Sequence, residues 1–300
     1  TVITDTAQLV DWVAAGAKPK ADWRIGTEHE KILFHRADFR PVAYDGADGV
    51  GALLGSLCSQ IGEKAQPIME KGQIIGLKDG DGGSVTLEPG GQLELSGAPL
   101  VNLHQTCAET GRHLKHMRAV TTALGLGMLG VGYQPKWARH DIPWMPKGRY
   151  KIMRGHMPKV GRFGLDMMLR SCTVQVNLDY SDEPDMRCKF RTSLALQPVA
   201  TALFANSPFR DGKPSGLLST RAEAWTDTDN ARCGVPACVF DAGFGYQQWI
   251  DYILDGPMYF LHRGEDYIDV AGQAFRDYLA SRLAGFEGMP PNMADFEDHI

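Results

Sequence analysis

Hydrophobic and polar residues alternate in three short stretches of the chain. In residues 23–34 (WRIGTEHEKILF), Glu28 and Glu30 share one face with Ile32 and Phe34, because successive side chains of a strand point to opposite sides. Residues 92–96 and 172–179 alternate in the same way. Their polar faces carry Gln92, Glu94, Ser96, Thr173, Gln175, Asn177 and Asp179. The pattern predicts three strands of an antiparallel sheet with one apolar and one polar face.

Apolar residues recur every three or four positions between the alternating stretches, which is typical of helices. Predicted helices cover residues 5–15, 48–63, 99–124, 188–205, 220–225 and 246–254. A glycine-rich segment predicts a hairpin with turns at residues 79–83 and 89–91, residues 128–135 predict a further strand, and residues 145–165 are expected to be irregular. Short strands separated by helices of uneven length predict an α+β fold, here a single domain spanning residues 1–300.

Composition excludes several classes of protein. The 300 residues are 43% hydrophobic and 22% charged, as in globular rather than disordered chains. The net charge of −5 gives no general attraction to nucleic acid or to an anionic membrane. No apolar run reaches the ~20 residues of a membrane span, and the N-terminus lacks the features of a signal peptide. Six cysteines are too sparse for a disulfide scaffold, so a cytoplasmic location is expected.

The two glutamates of the first strand are the first candidates for chemistry. Glu28 and Glu30 lie about 7 Å apart along a strand, and their repulsion is relieved when a divalent cation binds beside them. Oxygen ligands without clustered histidine or cysteine favour Mg²⁺, usually shared with substrate phosphates. Glu94 and Gln175 belong to the other polar faces. The alternative is a polar sheet face that is only solvated, and the pattern alone leaves it open.

A run of basic residues interrupts this acidic chain. Residues 147–162 contain six cations and no acid, namely Lys147, Arg149, Lys151, Arg154, Lys159 and Arg162. Such a run suits a polyphosphate or another anionic substrate. A solvated surface loop is the alternative.

Three other motifs do not indicate a site. A GxGxxG pattern begins at Gly125, but a helix precedes it and a strand follows, the reverse of a dinucleotide-binding unit. Gly125 is better explained as the left-handed residue that ends a helix. Cys233 and Cys238 have no second ligand pair for zinc. His113 and His116 lack a third partner and are expected to be surface residues.

Nine ordered motifs resemble one known family. They are WRIGTEHEK, LEPGGQLELSG, HQTCAE, GYQPKW, MPKGRY, GLDMMLRSCTVQVNLDYS, ALQPVATALFANSPF, AWTDTD and DGPMYF. Together they resemble the glutamate–cysteine ligase family of plants and proteobacteria, from about residue 8 to the last residue. The resemblance implies a glutamine-synthetase-like fold, with a curved antiparallel sheet, helices on its outer face and an active site on its concave polar face. It also implies ATP-dependent ligation of the glutamate γ-carboxylate to the amino group of L-cysteine through a γ-glutamyl phosphate, the first step of glutathione biosynthesis.

The resemblance assigns roles to individual residues. It implies that Mg²⁺ and ATP are held by carboxylate and amide side chains, that basic residues lie near phosphate, and that an arginine recognises glutamate. The magnesium ligands are Glu28, Glu30 and Glu94 with Gln175, and Glu88 is a further candidate. Arg149 and Arg154 are placed near phosphate, Arg221 at the glutamate carboxylate, and Trp225 and Tyr259 along the amino-acid pocket.

The chain departs from the family in length. Family members continue past the equivalent of Ile300, so the catalytic domain is expected to be incomplete and to expose apolar surface near its C-terminus. Cys107 matches a cysteine that bridges to a distant one in the family, but no disulfide is predicted here. The expected partners are glutamate, cysteine and ATP, in a monomer or weak homodimer. The alternatives are a related γ-glutamyl or carboxylate–amine ligase with another amine acceptor, and an inactive fragment that only binds ligand.

Overall fold

A seven-stranded antiparallel sheet organises the first 180 residues of the protein. The computed structural model describes residues 1–300. The strands are β1 (Ile25–His35), β2 (Gln66–Glu70), β3 (Gln73–Lys78), β4 (Ser84–Leu87), β5 (Leu93–Ser96), β6 (Leu126–Leu129) and β7 (Val174–Leu178). Their order is β2-β3-β4-β5-β1-β6, and β7 also pairs with β1. Because Glu28 pairs with both β5 and β7, these two strands lie on opposite edges of β1. The prediction of an α+β fold with an antiparallel sheet is confirmed.

Ten helices and two small hairpins complete the fold. The helices are α1 (Ala7–Ala15), α2 (Val50–Ile61), α3 (Leu103–Ala123), α4 (Gly148–Val160), α5 (Gly164–Arg170), α6 (Glu183–Phe204), α7 (Thr220–Trp225), α8 (Tyr246–Asp255), α9 (Phe275–Leu279) and α10 (Met293–His299). The hairpins are β8 (Phe209–Arg210) with β9 (Lys213–Pro214), and β10 (Phe260–Arg263) with β11 (Asp266–Asp269). None of the helices combines the length and the apolar character needed to cross a membrane.

Side-chain caps explain where the two long helices begin. The Asn102 side chain accepts a hydrogen bond from the Gln105 amide at 3.1 Å, so α3 starts at Leu103 rather than at residue 99. The Asp182 side chain accepts one from the Asp185 amide at 2.8 Å, so α6 starts five residues before the predicted boundary. At the other end of α3, Gly125 has a φ of 68°, which confirms its left-handed conformation.

The expectation of an irregular segment over residues 145–165 is wrong. This segment forms α4 and the start of α5. Its apolar pattern is weak because α4 fully buries only Tyr150, His156 and Met157, and most of its other positions are basic or small. Helix α4 thereby carries most of the basic residues of the segment 147–162 in a regular arrangement. The direction of each basic side chain therefore follows from its position on the helix.

Two hydrophobic cores hold these elements together. The first fills the space between the sheet and helices α2 to α5, where Leu53, Leu57, Leu87 and Leu93 are completely buried. Each fully buried leucine contributes about 2 kcal/mol to folding. The second core joins α1 to α8, α9 and α10 through Leu9, Ile250, Phe275 and Phe296. Within this core, α2 packs against β3 and α3 packs against β1 and β6, so these two helices support the sheet.

One extended apolar surface remains uncovered. On β7, Val174, Val176 and Leu178 are each 56–60% exposed, and α6 buries none of its 22 residues. The exposed side chains of α6 include Leu196, Val199, Leu203 and Phe204. These exposed apolar side chains lie on β7 and α6 in the middle of the sequence, whereas the expected position was near the C-terminus, where helix α10 packs into the second core.

The prediction that His113 lies on the surface is wrong. His113 is 8% exposed on α3, beneath the sheet. Burial, assisted by the nearby Lys31, lowers the pKa of His113 to about 4. Its polar character suggested solvent, but its place in the helix turns it inward together with Met117. His116 is half-buried, and all six cysteines are free thiols.

Candidate active site

The register of the sheet brings the polar faces of three strands together. Glu30 on β1 lies opposite Glu94 on β5. Glu28 lies opposite Ser96 on β5 and opposite Gln175 on β7. Directly opposed residues share a face of the sheet, with their Cβ atoms about 5 Å apart. The predicted carboxylate face therefore exists as one continuous surface.

The turn between β4 and β5 adds a further carboxylate, Glu88. The Gln92 side chain fixes this turn, because its Nε2 donates to the Ser171 carbonyl at 2.7 Å and its Oε1 accepts from the Gly90 amide at 2.9 Å. A Cβ at Gly90 would lie 2.2 Å from the Leu169 carbonyl oxygen, so only glycine fits this close approach. Gln92 thus serves the architecture, and the turn holds Glu88 beside the carboxylate face.

Each of the three sheet carboxylates is anchored through a single oxygen. The Thr173 amide donates to Glu30 Oε2 at 2.9 Å, and the Ser96 hydroxyl donates to Glu94 Oε1 at 2.5 Å. The Asn177 side-chain amide donates to Glu28 Oε1 at 3.1 Å. The second oxygen of each carboxylate has no hydrogen-bond partner within the protein. These oxygens are available to a ligand.

The carboxylates repel one another. Burial, together with the charges of Glu88 and Glu94, raises the pKa of Glu30 to about 7. Burial also raises the pKa of Glu88, against the opposing effect of Lys147. Arg221 opposes this effect at Glu30, as Lys147 and Arg149 do at Glu88, but both pKa values stay raised. A bound cation would relieve the remaining repulsion between the carboxylates.

Helix α4 places basic residues beside the carboxylates. Lys147 Nζ donates to the Leu87 carbonyl at 2.6 Å, and burial lowers the pKa of Lys147 to about 8. Arg149 lines the same cavity as Glu30 and Glu94. Arg154 does not, since its guanidinium lies 5.0 Å from the centre of the Trp144 ring and lines a separate cavity with Arg139 and Arg170. The expectation that Arg154 lies with Arg149 is therefore wrong, because about 1.4 helical turns separate the two residues and point their side chains in different directions.

Helix α7 supplies another part of the cavity wall. Ser219 caps it, accepting from the Ala222 amide at 3.2 Å, and directs Arg221 and Trp225 into the cavity. The Arg221 guanidinium lies 5.4 Å from the centre of the Trp225 ring and has no carboxylate within 4.0 Å. Arg221 Nε and Trp225 Nε1 are buried without a hydrogen-bond partner. Buried donors are normally paired, so both atoms indicate a ligand that supplies acceptors.

These walls enclose a cavity of about 380 Å³. It brings together most of the residues that the sequence predicted, namely Glu30, Glu94, Arg149, Gln175, Arg221, Trp225 and Tyr259, and it includes Glu88. Glu28 lies beside this cavity on β1 and does not line it. Carboxylates, cations and unpaired donors thus face one cavity.

Comparison with known proteins identifies the family. The model of glutamate-cysteine ligase family 2 matches residues 24–284. This match includes every residue of the predicted site. The chain belongs to that family. Among curated relatives, glutamate–cysteine ligase A of rice (Oryza sativa subsp. japonica) is 54% identical over 292 residues, and the enzyme of Arabidopsis thaliana is 55% identical over 292 residues. The Medicago truncatula enzyme is 54% identical.

The alignments cover 97% of this family member but only 55–58% of those relatives. The chain therefore spans little more than half the length of the curated ligases that it matches. All three relatives are chloroplastic by name. This finding overturns the expectation of a cytoplasmic protein. Free thiols and the absence of a membrane span do not distinguish one reducing compartment from another. The cysteine content therefore cannot separate the cytoplasm from the chloroplast.

Several residues that line the cavity escaped the sequence analysis. Tyr150, Met153, Met167 and Asp298 all contribute to its wall. Met153 follows Arg149 by four residues, so a prediction of α4 as a helix would have placed the two on one face. Asp298 comes from α10, more than two hundred residues from β1, and no local pattern signals it.

The carboxylates of this ligase-family site suit a metal ion that is shared with a ligand. No three acidic, histidine or cysteine side chains lie close enough to hold an ion by themselves. Mg²⁺ is typically held by one or two carboxylates, with phosphate and water oxygens completing its shell. The unpaired oxygens of Glu30 and Glu94 and their mutual repulsion fit that mode of binding.

Proposed function

We propose that the cavity is the active site of an ATP-dependent glutamate–cysteine ligase, which joins the glutamate γ-carboxylate to the amino group of L-cysteine. This is the first step of glutathione biosynthesis. The observation that carries the proposal is the combination of groups that line one cavity. Mutually repelling carboxylates and the unpaired guanidinium of Arg221 face it together. A metal–phosphate group suits the carboxylates, and an amino-acid carboxylate suits Arg221.

Arg221 is assigned to the carboxylate recognition of glutamate. Its planar guanidinium can donate two parallel hydrogen bonds to a carboxylate, and burial strengthens this interaction. Trp225 and Tyr259 form the walls that orient the substrate. With the amino acid held in this way, its γ-carboxylate extends toward Glu30 and Glu94. Positioning of this kind is the main contribution of a protein to phosphoryl transfer.

The carboxylates are assigned to Mg²⁺ and the ATP phosphates. Glu28, Glu30 and Glu94 with Gln175 are the proposed ligands, and Glu88 supports them. The metal supplies charge neutralisation for the phosphoryl group when it is bound. Arg149 adds a fixed positive charge from the protein.

The reaction has two steps. In the first, a γ-carboxylate oxygen of glutamate attacks the γ-phosphorus of ATP, and ADP leaves. In the second, the amine of cysteine attacks the acyl carbon of the γ-glutamyl phosphate, inorganic phosphate leaves and the amine loses a proton. The chain binds both substrates in one cavity, which keeps the reactive acyl phosphate near the acceptor.

The proposal extends to the architecture. An antiparallel sheet with one polar face and helices packed behind it supports a glutamine-synthetase-like fold with its active site on the concave side. We assign residues 1–300 to one catalytic domain that is incomplete relative to the longer ligases. The proposed oligomeric state is a monomer or weak homodimer, which sedimentation velocity over a range of concentrations would test.

The decisive experiment measures release of ADP with each substrate omitted in turn. The expected result is ADP formation that requires glutamate, cysteine and Mg²⁺ together. Turnover with glutamate and another amine would favour a related γ-glutamyl ligase. Binding of Mg²⁺-ATP and glutamate without any turnover would favour a chain that only binds ligand. A chain that binds neither would overturn the assignment of the cavity.

A further inference from the structure

Tyr259 is held by residues that never reach the cavity. It lies between α8 and β10, and its hydroxyl donates to Asp229 Oδ2 at 2.8 Å. Asp229 is 1% exposed and does not line the cavity. The His156 ring packs edge-on against the Tyr259 ring at 5.5 Å between centroids. The one hydrogen bond of the Tyr259 side chain is therefore directed away from the substrate.

Arg232 fixes the same tyrosine from another side. Its guanidinium carbon lies 4.8 Å from the centre of the Tyr259 ring, and its Nη1 donates to the Pro257 carbonyl at 2.7 Å. Arg232 thus contacts both the ring and the backbone two residues before it. Its amide in turn donates to the Asp229 carbonyl at 2.9 Å. Asp229 and Arg232 form one turn that grips the Tyr259 segment.

This turn is continuous with the wall that carries Arg221. Asp229 follows Trp225 by four residues and Arg221 by eight, and the Thr228 hydroxyl ties the turn back to the Ala224 carbonyl at 2.8 Å. The bond from Tyr259 to Asp229 consequently joins the two walls of the amino-acid pocket, which are 30 residues apart in sequence.

We infer that Asp229 is a positioning residue that latches the Tyr259 wall to the Arg221–Trp225 wall and so sets the width of the amino-acid pocket. We call the hydrogen bond from Tyr259 to Asp229 the latch. That the pocket takes glutamate rests on the proposed function, whereas the latch rests on the contacts above. Asp229 reaches the pocket through the Tyr259 hydroxyl, while its other carboxylate oxygen, Oδ1, accepts from the Ala231 amide within the turn at 3.3 Å. Burial and the neighbouring Asp229 both raise the pKa of Tyr259, so the phenol keeps the proton that it donates.

The test compares Tyr259→Phe, Asp229→Ala and Asp229→Asn with the unmodified chain. Asparagine at position 229 keeps an acceptor oxygen for the Tyr259 hydroxyl. Alanine there removes the acceptor, and phenylalanine at position 259 removes the donor. The matched control is Tyr278→Phe, which removes a buried hydroxyl between Arg263 and Asp295 in the second core, away from the pocket. If Asp229→Ala does not fold, Tyr259→Phe tests the same bond from the other side.

The first measurement needs no ligand. Backbone amide exchange is followed in residues 220–233 and 256–263. We expect faster exchange in both segments for Tyr259→Phe and Asp229→Ala, nearly unchanged exchange for Asp229→Asn, and no change in residues 220–233 for Tyr278→Phe. Unchanged exchange of residues 220–233 in Tyr259→Phe would overturn the latch.

The second measurement is the dependence of turnover on L-glutamate. Loss of a hydrogen bond to a buried carboxylate is expected to raise the KM for glutamate about tenfold in Tyr259→Phe, with a much smaller effect on kcat and on the KM for ATP. Asp229→Asn is expected to restore most of the affinity. A raised exchange rate with an unchanged KM would overturn the role in substrate binding. If turnover of the unmodified chain did not depend on glutamate, the proposed function would be overturned. The exchange of residues 220–233 would still show whether the hydrogen bond from Tyr259 to Asp229 holds the two walls together.

Discussion

Glu30 on β1 and Glu94 on β5 are cross-strand partners, so two carboxylates face each other across one pair of strands. Such a pair is destabilising unless something stands between the charges. Burial, the charge of Glu88 and the charge of Glu94 together raise the pKa of Glu30 to about 7, so the pair contributes to this shift. A cation bound beside the two carboxylates would offset this repulsion.

Removing one charge of this pair is expected to stabilise the folded chain and to reduce its catalytic turnover. Glu94→Gln keeps the size of the side chain, lowers the pKa of Glu30 and removes a proposed metal ligand. We expect turnover to fall by orders of magnitude while the midpoint of urea unfolding stays equal or rises. Glu63→Gln, at an exposed position outside the site, is the control and is expected to change neither quantity. Full activity of Glu94→Gln would remove this residue from the site.

Exchange of Arg221 for lysine separates charge from geometry. Arg221→Lys keeps the positive charge but loses the two-pronged donor, so the KM for glutamate is expected to rise at least tenfold with little effect on the KM for ATP. Arg154→Lys is the matched control, because Arg154 lines the separate cavity beside Trp144. If Arg221→Lys instead raised the KM for ATP and left the KM for glutamate unchanged, Arg221 would be assigned to the binding of the ATP phosphates.

The carboxylate face should bind a divalent cation together with nucleotide. We expect activity to disappear in excess chelator and to return with Mg²⁺ or Mn²⁺. Binding can be followed without turnover from the electron paramagnetic resonance signal of Mn²⁺ in the presence of an ATP analogue that cannot be hydrolysed. Affinity is expected to fall in Glu30→Gln. Undiminished turnover in chelator would contradict the metal assignment.

His113 should make the protein sensitive to mild acid. Its pKa is about 4 in the folded chain, below the ordinary value of 6.5 that it regains on unfolding. Between these two values the unfolded chain binds the proton and the folded chain does not, so stability falls as the pH falls. The loss is roughly 3 kcal/mol over the whole window.

Urea unfolding between pH 7 and pH 5 measures this effect. His113→Gln is expected to lose clearly less stability over that interval than the unmodified chain. His104→Gln, at an exposed position of the same helix, should follow the unmodified chain. An identical pH dependence in His113→Gln would mean that the acid sensitivity arises elsewhere.

Much of the carboxylate face could be predicted from sequence because its signal is local. Alternation of polar and apolar residues fixes which side chains share a face, and Glu28, Glu30, Glu94 and Gln175 were grouped correctly on that basis. The apolar pattern does not predict α4, because the surroundings of this helix, rather than an apolar stripe, stabilise it. The direction of the Arg154 side chain depends on the helix, so the sequence pattern does not predict it either.

Other features depend on contacts that sequence patterns do not encode. The bond between Tyr259 and Asp229 joins residues whose segments give no indication of meeting. Asp298 reaches the cavity from the far end of the chain. The burial of His113 depends on how α3 lies beneath the sheet. Each of these three features results from tertiary packing, and no local sequence pattern predicts it.

Strand β7 has a consequence for the behaviour of the protein in solution. It pairs with a neighbour along only one edge, and its segment VQVNL is uncharged, free of proline and rich in β-branched residues. An open edge with these properties is a template for intermolecular strand pairing, the first step toward aggregation. Gln175 sits on this strand, so self-association there would occlude the carboxylate face. We therefore expect Val176→Lys, on the face of β7 away from Gln175, to improve both solubility and ligand binding at high protein concentration.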